Sequence, residues 1–71
     1  MPHENTPRAQ QLRSLLRLQH VLDRTGLSRS GTYQLIAQGE FPKPIPLNGR
    51  SVAWDSRAID AWIESRIAAA A

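Results

Sequence analysis

Residues 25–36 read Thr25-Gly26-Leu27-Ser28-Arg29-Ser30-Gly31-Thr32-Tyr33-Gln34-Leu35-Ile36, and they carry the clearest local signals in the chain. Gly26 can adopt φ > 0 without a Cβ penalty, so it can end one helix and turn the chain. Ser28 can then cap the next helix, because its hydroxyl oxygen can accept from an otherwise unpaired backbone N–H. Helix, glycine turn and helix form the helix-turn-helix pattern. We therefore predict a DNA-recognition helix over residues 28–38.

The apolar residues before this turn recur at the spacing of an amphipathic helix, which predicts a first helix over residues 19–25. Residues 15–18 form a pattern too short to separate a strand from the start of that helix, and we favour the strand. The residues expected to share the inner face of the helix are Leu18, Val21, Leu22 and Thr25.

The predicted second helix stops at Gly39, a residue type that commonly ends helices. The side chains expected to face the core are Thr32, Leu35 and Ile36. The polar side chains left on the outer side are Arg29, Ser30, Tyr33 and Gln34. All four can bond phosphates or base edges. Gly31 in the first turn of the helix lowers helix stability by up to ~1 kcal/mol relative to Ala. This cost would be tolerated if the backbone at Gly31 comes close to the first helix or to a phosphate.

The residues after this helix predict a β-hairpin. Prolines at positions 42, 44 and 46 exclude a helix and favour an extended chain. Asn48-Gly49 favours a two-residue type I′ turn. Val52 and Trp54 then alternate onto one face of the next strand. Such a hairpin, with Arg50 near its tip, occupies the place of the wing in a winged helix-turn-helix domain.

The last helix is predicted to start at Asp55-Ser56, where either side chain can cap it. Its apolar stripe is expected to close the core, with Trp62 as the largest single contribution. A dimer interface is the alternative, which we rank lower because so short a chain needs this face internally. The stripe consists of Ile59, Trp62, Ile63 and Ile67.

The chain has 71 residues and no cysteine, which predicts one small domain without disulfides or a thiolate zinc site. Residues 1–14 are expected to form a disordered tail, and residues 68–71 a fraying end. No apolar run approaches the ~18 residues that span a membrane, and no secretory signal is recognisable. We therefore expect a cytoplasmic protein, with no membrane partner, metal site or cofactor.

The net charge of +3 is unevenly distributed. Residues 24–50 hold four basic residues against Glu40 alone, whereas residues 51–71 hold two basic residues against three acidic ones. The positive excess lies on the predicted recognition helix and the loop after it. This favours an anionic partner, the alternative being a solvated basic surface without a partner.

Together these elements predict an α+β fold over residues 15–67. It is a small winged helix-turn-helix of three helices with a β-hairpin wing and a third short strand. The expected core consists of Leu16, Leu18, Val21, Leu22, Leu27, Leu35, Ile36, Phe41, Ile45, Val52, Trp54, Ile59, Trp62 and Ile63.

The order and spacing of these pieces resemble the AlpA-like family of phage and prophage regulators, which is related to excisionase-type and MerR-like winged-helix domains. The resemblance covers residues 15–67 and rests on several short motifs. These are Leu16-Arg17-Leu18, Val21-Leu22, Thr25-Gly26-Leu27-Ser28-Arg29-Ser30, Tyr33-Gln34-Leu35-Ile36, Gly39-Glu40-Phe41-Pro42-Lys43-Pro44, Trp54-Asp55 and Ile59-Asp60-Ala61-Trp62-Ile63.

The resemblance implies binding to double-stranded DNA, with a role in transcription of mobile-element genes or in integrase-mediated excision. An integrase, or a second copy of the chain on DNA, is the implied partner. The implied contacts of the recognition helix are Ser28, Arg29, Ser30, Thr32, Tyr33 and Gln34. The implied contacts of the wing over residues 43–52 are Lys43, Asn48 and Arg50. The positions that depart from the family pattern are Gly31, Thr32 and Gln34.

On DNA, the N-terminal half of the recognition helix is expected to enter the major groove. Arg29 would contact a guanine edge or a phosphate. Tyr33 would bond a phosphate or be partly buried against the first helix. Arg50 would enter a narrow A·T minor groove or stay solvated. With ~4 charges neutralised, the salt slope would be about −3.6, so occupancy would require tandem or inverted sites, or a partner protein.

Two other function classes compete with DNA binding. The sequence has no glycine-rich phosphate loop, no paired carboxylates in a plausible cleft and no nucleophile beside a base, so we predict no enzymatic activity. The remaining alternative is a protein-interaction adaptor that docks on an integrase or polymerase through the wing and the last helix, without binding DNA.

Overall fold

The computed structural model describes residues 12–71, so the predicted tail lies outside the described residues up to position 11. Three helices and a three-stranded antiparallel sheet confirm the predicted α+β class. The elements in chain order are β1 Leu15–Leu16, α1 Leu18–Thr25, α2 Arg29–Ala37, β2 Ile45–Asn48, β3 Ser51–Asp55 and α3 Ser56–Ala70.

Local chemistry forms the turn between α1 and α2 as predicted. Gly26 has φ 77° and its N–H donates to the Leu22 carbonyl at 2.8 Å, which ends α1. The Ser28 Oγ accepts from the N–H of Gly31 at 3.0 Å, so Ser28 caps α2. Gly39, with φ 76°, follows the end of α2. The three local signals are confirmed because each depends on neighbouring residues alone.

The strand predicted over residues 15–18 is shorter, and the first helix begins earlier than predicted. β1 contains only Leu15 and Leu16, which pair with Asp55 and Trp54. α1 already includes Leu18, so the two interpretations of this segment are both partly right. The half-buried Leu18 packs against the core from the first position of the helix.

The central strand of the sheet is β3, with β1 on one side and β2 on the other. Leu16 pairs with Trp54, so both face the core, while Ile45 pairs with Ala53 and shares the opposite face. Ile45 is 40% exposed, so its predicted place in the core is wrong. The alternation of side chains along β3 explains this, because Ala53 and Trp54 must point in opposite directions.

The hairpin turn lies one residue later than predicted. Asn48 pairs with Ser51, so the two-residue loop is Gly49-Arg50 and Asn48 ends β2. Gly49 has φ 57°, and no other residue in the described hairpin has positive φ. The predicted type I′ turn needs two positive φ values and is therefore wrong, whereas type II′ needs one, at its first central residue. An irregularity in register between Pro46 and Asn48 accommodates the shift.

Trp54, rather than Trp62, is the largest fully buried side chain. It lies in one apolar cluster with Val21, Phe41 and Ile59. Ile67, predicted as part of the core stripe, is 60% exposed, because α3 continues past the core. The half-buried side chains packed around the cluster are Leu16, Leu18, Leu27, Leu35, Ile36, Val52, Trp62 and Ile63.

The folded part reaches back into the range predicted as a tail. The Ser14 N–H donates to the Oγ of Ser56, and the Ser56 N–H donates to the Ser14 carbonyl, both at 2.8 Å. Arg13 pairs with Asp55, whose carboxylate also caps α3 by accepting from the Arg57 N–H. Order at Arg13 and Ser14 therefore corrects the predicted tail boundary.

At its other end, α3 includes residues 68–70, where fraying stays a prediction. In the described chain, none of the helices has the length and apolar character needed to cross a membrane.

Candidate nucleic-acid interface

The N-terminal half of α2 presents polar side chains to solvent. Arg29, Ser30, Tyr33 and Gln34 are all exposed, while Leu35 and Ile36 turn toward the core. Ser30 and Gln34 lie one helical turn apart and therefore share one outward direction. The exposed surface of this half-helix is thus built from hydrogen-bonding side chains with one cation.

The hydroxyl of Ser28 already makes one hydrogen bond, as an acceptor. Its Oγ accepts the capping bond from Gly31, so the hydroxyl can still act as a donor. The N–H groups of Arg29 and Ser30 open the helix and have no acceptor in a preceding turn. These donors and the positive end of the helix dipole favour an anion such as a phosphate at this end of α2.

Thr32 belongs to the core and cannot contact DNA from this position. It is fully buried, and its Oγ1 donates to the Ser28 carbonyl at 2.9 Å. The bond satisfies the hydroxyl inside the helix, so the buried threonine leaves no unpaired polar group. The contact implied for Thr32 by the resemblance is therefore wrong, while its predicted core orientation is correct.

Tyr33 is 43% exposed, so its side chain is partly buried and partly open to solvent, and its contact with DNA stays a prediction. Within residues 12–71 its hydroxyl makes no side-chain hydrogen bond. Together with Arg29, one turn earlier in the helix, it forms a flank of the exposed α2 surface. A phenol with a free hydroxyl can bond a phosphate or stack on a sugar.

The three predicted wing residues are exposed as well. Arg50 lies in the hairpin loop, Asn48 ends β2 just before it, and Lys43 lies between α2 and β2. The hairpin therefore presents an arginine at its tip and an amide beside it, and the segment that leads into it carries a lysine.

Two tryptophans hold the segment that joins α2 to the wing. The Trp62 Nε1–H donates to the Glu40 carbonyl at 2.9 Å, and the Trp54 Nε1–H donates to the Pro42 carbonyl at 3.0 Å. Phe41, between these carbonyls, is buried and meets the Trp62 ring edge-on at 4.9 Å. We call Trp54 and Trp62 with these two bonds the indole clamp.

The indole clamp does not follow from the sequence pattern, which marks both tryptophans only as apolar core residues. A buried indole N–H nearly always finds an acceptor, so a polar partner could have been expected without naming it.

Ion pairs involve two of the basic residues that the structure describes, and Arg17, Arg57 and Arg66 are not among them. Arg24 pairs with Asp60 of α3, and Arg13 pairs with Asp55. Arg29, Lys43 and Arg50 make no ion pair with the carboxylates of the described residues. Arg24 was counted with the basic stretch in the sequence, and its pairing reduces the uncompensated cations there to the three on α2 and the wing segment.

Hydrogen bonding within the Arg13–Asp55 pair also shifts the pKa of Asp55. The guanidinium of Arg13 bonds the carboxylate of Asp55 through Nε and Nη2 at 2.8–3.2 Å. This holds the pKa of Asp55 below its ordinary value, with the Arg57 N–H contributing in the same direction. The carboxylate that caps α3 is therefore charged over most of the pH range.

Comparison with known proteins identifies relatives of this chain. A sequence model of the family described as prophage CP4-57 regulatory protein (AlpA) matches residues 14–67. The protein ORF88 of Enterobacteria phage P4 is 47% identical over 53 residues, which cover 75% of this chain. The match spans 60% of the length of that phage protein. The family match spans the elements described above, from β1 through the helix-turn-helix and the wing.

Proposed function

This chain belongs to the AlpA family of prophage regulatory proteins, and we propose that it exerts its regulatory role by binding double-stranded DNA. It does so as a winged helix-turn-helix domain, with α2 in the major groove and the wing on the flanking backbone or minor groove.

The observation that carries this proposal is the row of exposed hydrogen-bonding side chains on α2, followed along the chain by cations on the wing segment. Arg29, Lys43 and Arg50 have no carboxylate partners among the described residues, whereas Arg13 and Arg24 are paired. One arginine on the helix, followed by a lysine and an arginine on the wing segment, gives a charge pattern that a phosphate backbone attracts. The indole clamp connects the two elements, so they can approach one duplex together.

In the proposed complex, α2 supplies both positioning and base contacts. The N–H groups at its start and the Ser28 hydroxyl bond a phosphate, which orients the helix. Ser30 and Gln34 face the groove, and the Gln34 amide suits the N6 and N7 atoms of adenine. Arg29 contacts a guanine edge or a phosphate, and Tyr33 a phosphate or sugar.

The wing adds contacts beside the major groove. Arg50 at the hairpin tip enters the adjacent minor groove, where a narrow A·T tract concentrates negative potential. Asn48 and Lys43 contact the backbone beside it. These contacts position the domain and add affinity that depends on salt.

The regulatory outcome is control of mobile-element transcription or assistance to an integrase during excision. Both need the same DNA chemistry, and both place the protein on the bacterial nucleoid in the cytoplasm. An adjacent integrase gene would favour excision, and a site overlapping a promoter would favour transcription control.

DNA binding is tested by titrating the chain against duplexes selected from random sequence, at two salt concentrations. Arg29→Ala should lower affinity for a selected duplex by about tenfold or more, the equivalent of ~1–3 kcal/mol for a bidentate base contact. Arg66→Ala is the matched control, because it removes the same charge from α3, where the guanidinium lies over the Trp62 ring.

Equal losses for Arg29→Ala and Arg66→Ala would assign binding to net charge rather than to α2. If no duplex shows salt-linked binding, the protein acts as an adaptor that docks on another protein, and the DNA-binding proposal fails.

A further inference from the structure

The outer face of the sheet, on the side away from the core, exposes large apolar side chains. Leu15 pairs with Asp55 and Ile45 pairs with Ala53, so these side chains share one face. Leu15 is 55% exposed and Ile45 40% exposed, and Leu47, at the irregularity in β2, is 42% exposed. Leu15, Ile45 and Leu47 are called the outer apolar patch.

Two charged residues at the rim of this patch, Arg13 and Asp55, form an ion pair. The two neutralise each other. A groove of about 330 Å³ lies beside them, lined by Arg13, Ser14, Leu15, Ile45 and Asp55. An apolar groove of this size, between apolar side chains, accepts an aliphatic side chain from another molecule.

We propose that two copies of this chain contact each other through their outer apolar patches when they occupy neighbouring sites on DNA. The inference rests on the proposed DNA-binding function. The patch provides both the aliphatic side chains and the groove that would receive them, so one copy is complementary to another.

The size of the patch determines when the contact forms. Stable interfaces bury about 800 Å² per partner and involve ~20–30 residues a side, whereas the patch has three large apolar side chains. Free copies also repel, because each carries a net charge of +3. Phosphates neutralise this charge on DNA, and a neighbouring site raises the effective concentration, so a small contact becomes sufficient there.

The symmetry of the contact determines the arrangement of the DNA sites. A patch that meets the same patch forms an isologous interface, which closes after two copies. Two domains related by such a two-fold axis present their α2 helices to inverted half-sites. The inference is therefore an inverted pair of half-sites that binds two copies, and not a run of direct repeats.

The first test uses the parent chain and selected duplexes that carry one half-site, two inverted half-sites or two direct half-sites. Binding should be cooperative on the inverted pair only, with a coupling in the range of ~5–150-fold. Inserting about 5 bp, half a helical turn, should abolish it. Single-site binding without cooperativity on the inverted pair overturns the pairing, whereas failure to select any duplex overturns DNA binding itself.

A second test locates the contact. The chain has no cysteine, so a single Ile45→Cys variant can be cross-linked with a short bis-maleimide without background. It should form linked pairs on the inverted duplex and none without DNA. Ile67→Cys is the matched control, since Ile67 is 60% exposed but lies on α3, and it should form none. Linked pairs with both variants, or with neither, contradict the contact through the patch.

A third variant separates pairing from folding. Leu15→Asn changes a patch residue outside the wing without changing the charge, so it should bind one half-site with the affinity of the parent and lose cooperativity on the inverted pair. Retained cooperativity, or a loss of single-site affinity in a variant with the parent's circular dichroism spectrum, overturns the proposal.

Discussion

The indole N–H of Trp54 bonds the carbonyl oxygen of Pro42 across 3.0 Å, and so joins the wing strand β3 to the segment that leaves α2. Trp54 is fully buried, so water cannot take over this bond without local opening. The relative placement of α2 and the wing therefore depends in part on this side chain in the core.

Replacing Trp54 should therefore cost more stability than replacing Trp62. Trp54→Phe leaves the Pro42 carbonyl unpaired and creates a small cavity, for an expected loss of about 2–4 kcal/mol. Trp62→Phe should cost about 0.5–1.5 kcal/mol, because Trp62 is only half-buried and water can reach the Glu40 carbonyl. Urea denaturation followed by circular dichroism measures both values. Equal losses would contradict the role assigned to the buried indole.

Gly31 and Ser28 should be energetically coupled. A Cβ added at Gly31 would lie 3.0 Å from the Ser28 Oγ, so that hydroxyl must shift by a few tenths of an ångström, which strains its capping bond. Alanine raises helix propensity by up to ~1 kcal/mol, but loss of the cap costs ~0.5–2 kcal/mol. We expect Gly31→Ala to be neutral or destabilising in the parent, and stabilising in a Ser28→Ala background. A double-mutant cycle measures this coupling, and additive effects would refute it.

The salt dependence of DNA binding should reflect three cations rather than four. Arg24 is paired with Asp60, so neutralising ~3 charges gives an expected slope of about −2.7 in place of −3.6. Arg50→Ala should reduce the steepness by about 0.9, and Arg24→Ala should leave it unchanged. Affinities over a series of salt concentrations measure the slopes. A change for Arg24→Ala with none for Arg50→Ala would move the phosphate contacts away from the wing.

Acid should destabilise the fold partly through Asp55. Its pKa is lower in the folded state than the ordinary value of 3.8, so its ion pair stabilises the protein above that value. This contribution is lost as the pH falls through the lower, folded-state pKa. Asp55→Asn keeps a good helix cap but has no charge, so its stability should depend less on pH below about pH 4.

Arg13→Gln removes the partner instead of the carboxylate and should flatten the same acid region. Urea denaturation from pH 6 downward compares the three proteins, and parallel curves for parent and variants would exclude the ion pair as the cause.

The predictable part of the fold consists of features that neighbouring residues determine. Gly26 and Ser28 form the turn and the cap through bonds to residues three or four positions away. The position of Arg50 at the hairpin tip is equally local, because a glycine and short flanking strands predict a turn there. The fully exposed side of α2 also follows from helical periodicity, which places Ser30 and Gln34 opposite the core.

The parts that sequence reasoning did not find depend on pairing across the sheet and between elements. Ile45 faces away from the core because its partner is Ala53, and three alternating prolines give no indication of that register. Arg24 lies 36 residues from Asp60 in the sequence, so a count of charges over neighbouring residues could not show that Asp60 neutralises its charge. The core position of Thr32 was predictable from helical periodicity. Its implied DNA contact was transferred from the family by position in the sequence, without regard to the burial of the side chain.

The prolines of the wing have a consequence for solubility. β2 lies at an edge of the sheet, and Pro46 within it has no N–H to offer an incoming strand. Another chain therefore cannot extend the hydrogen-bond ladder continuously past this residue, which blocks edge-to-edge aggregation. A hairpin that carries apolar side chains and must stay free for a duplex is thereby protected from amyloid-like stacking, even where many copies crowd on one stretch of DNA.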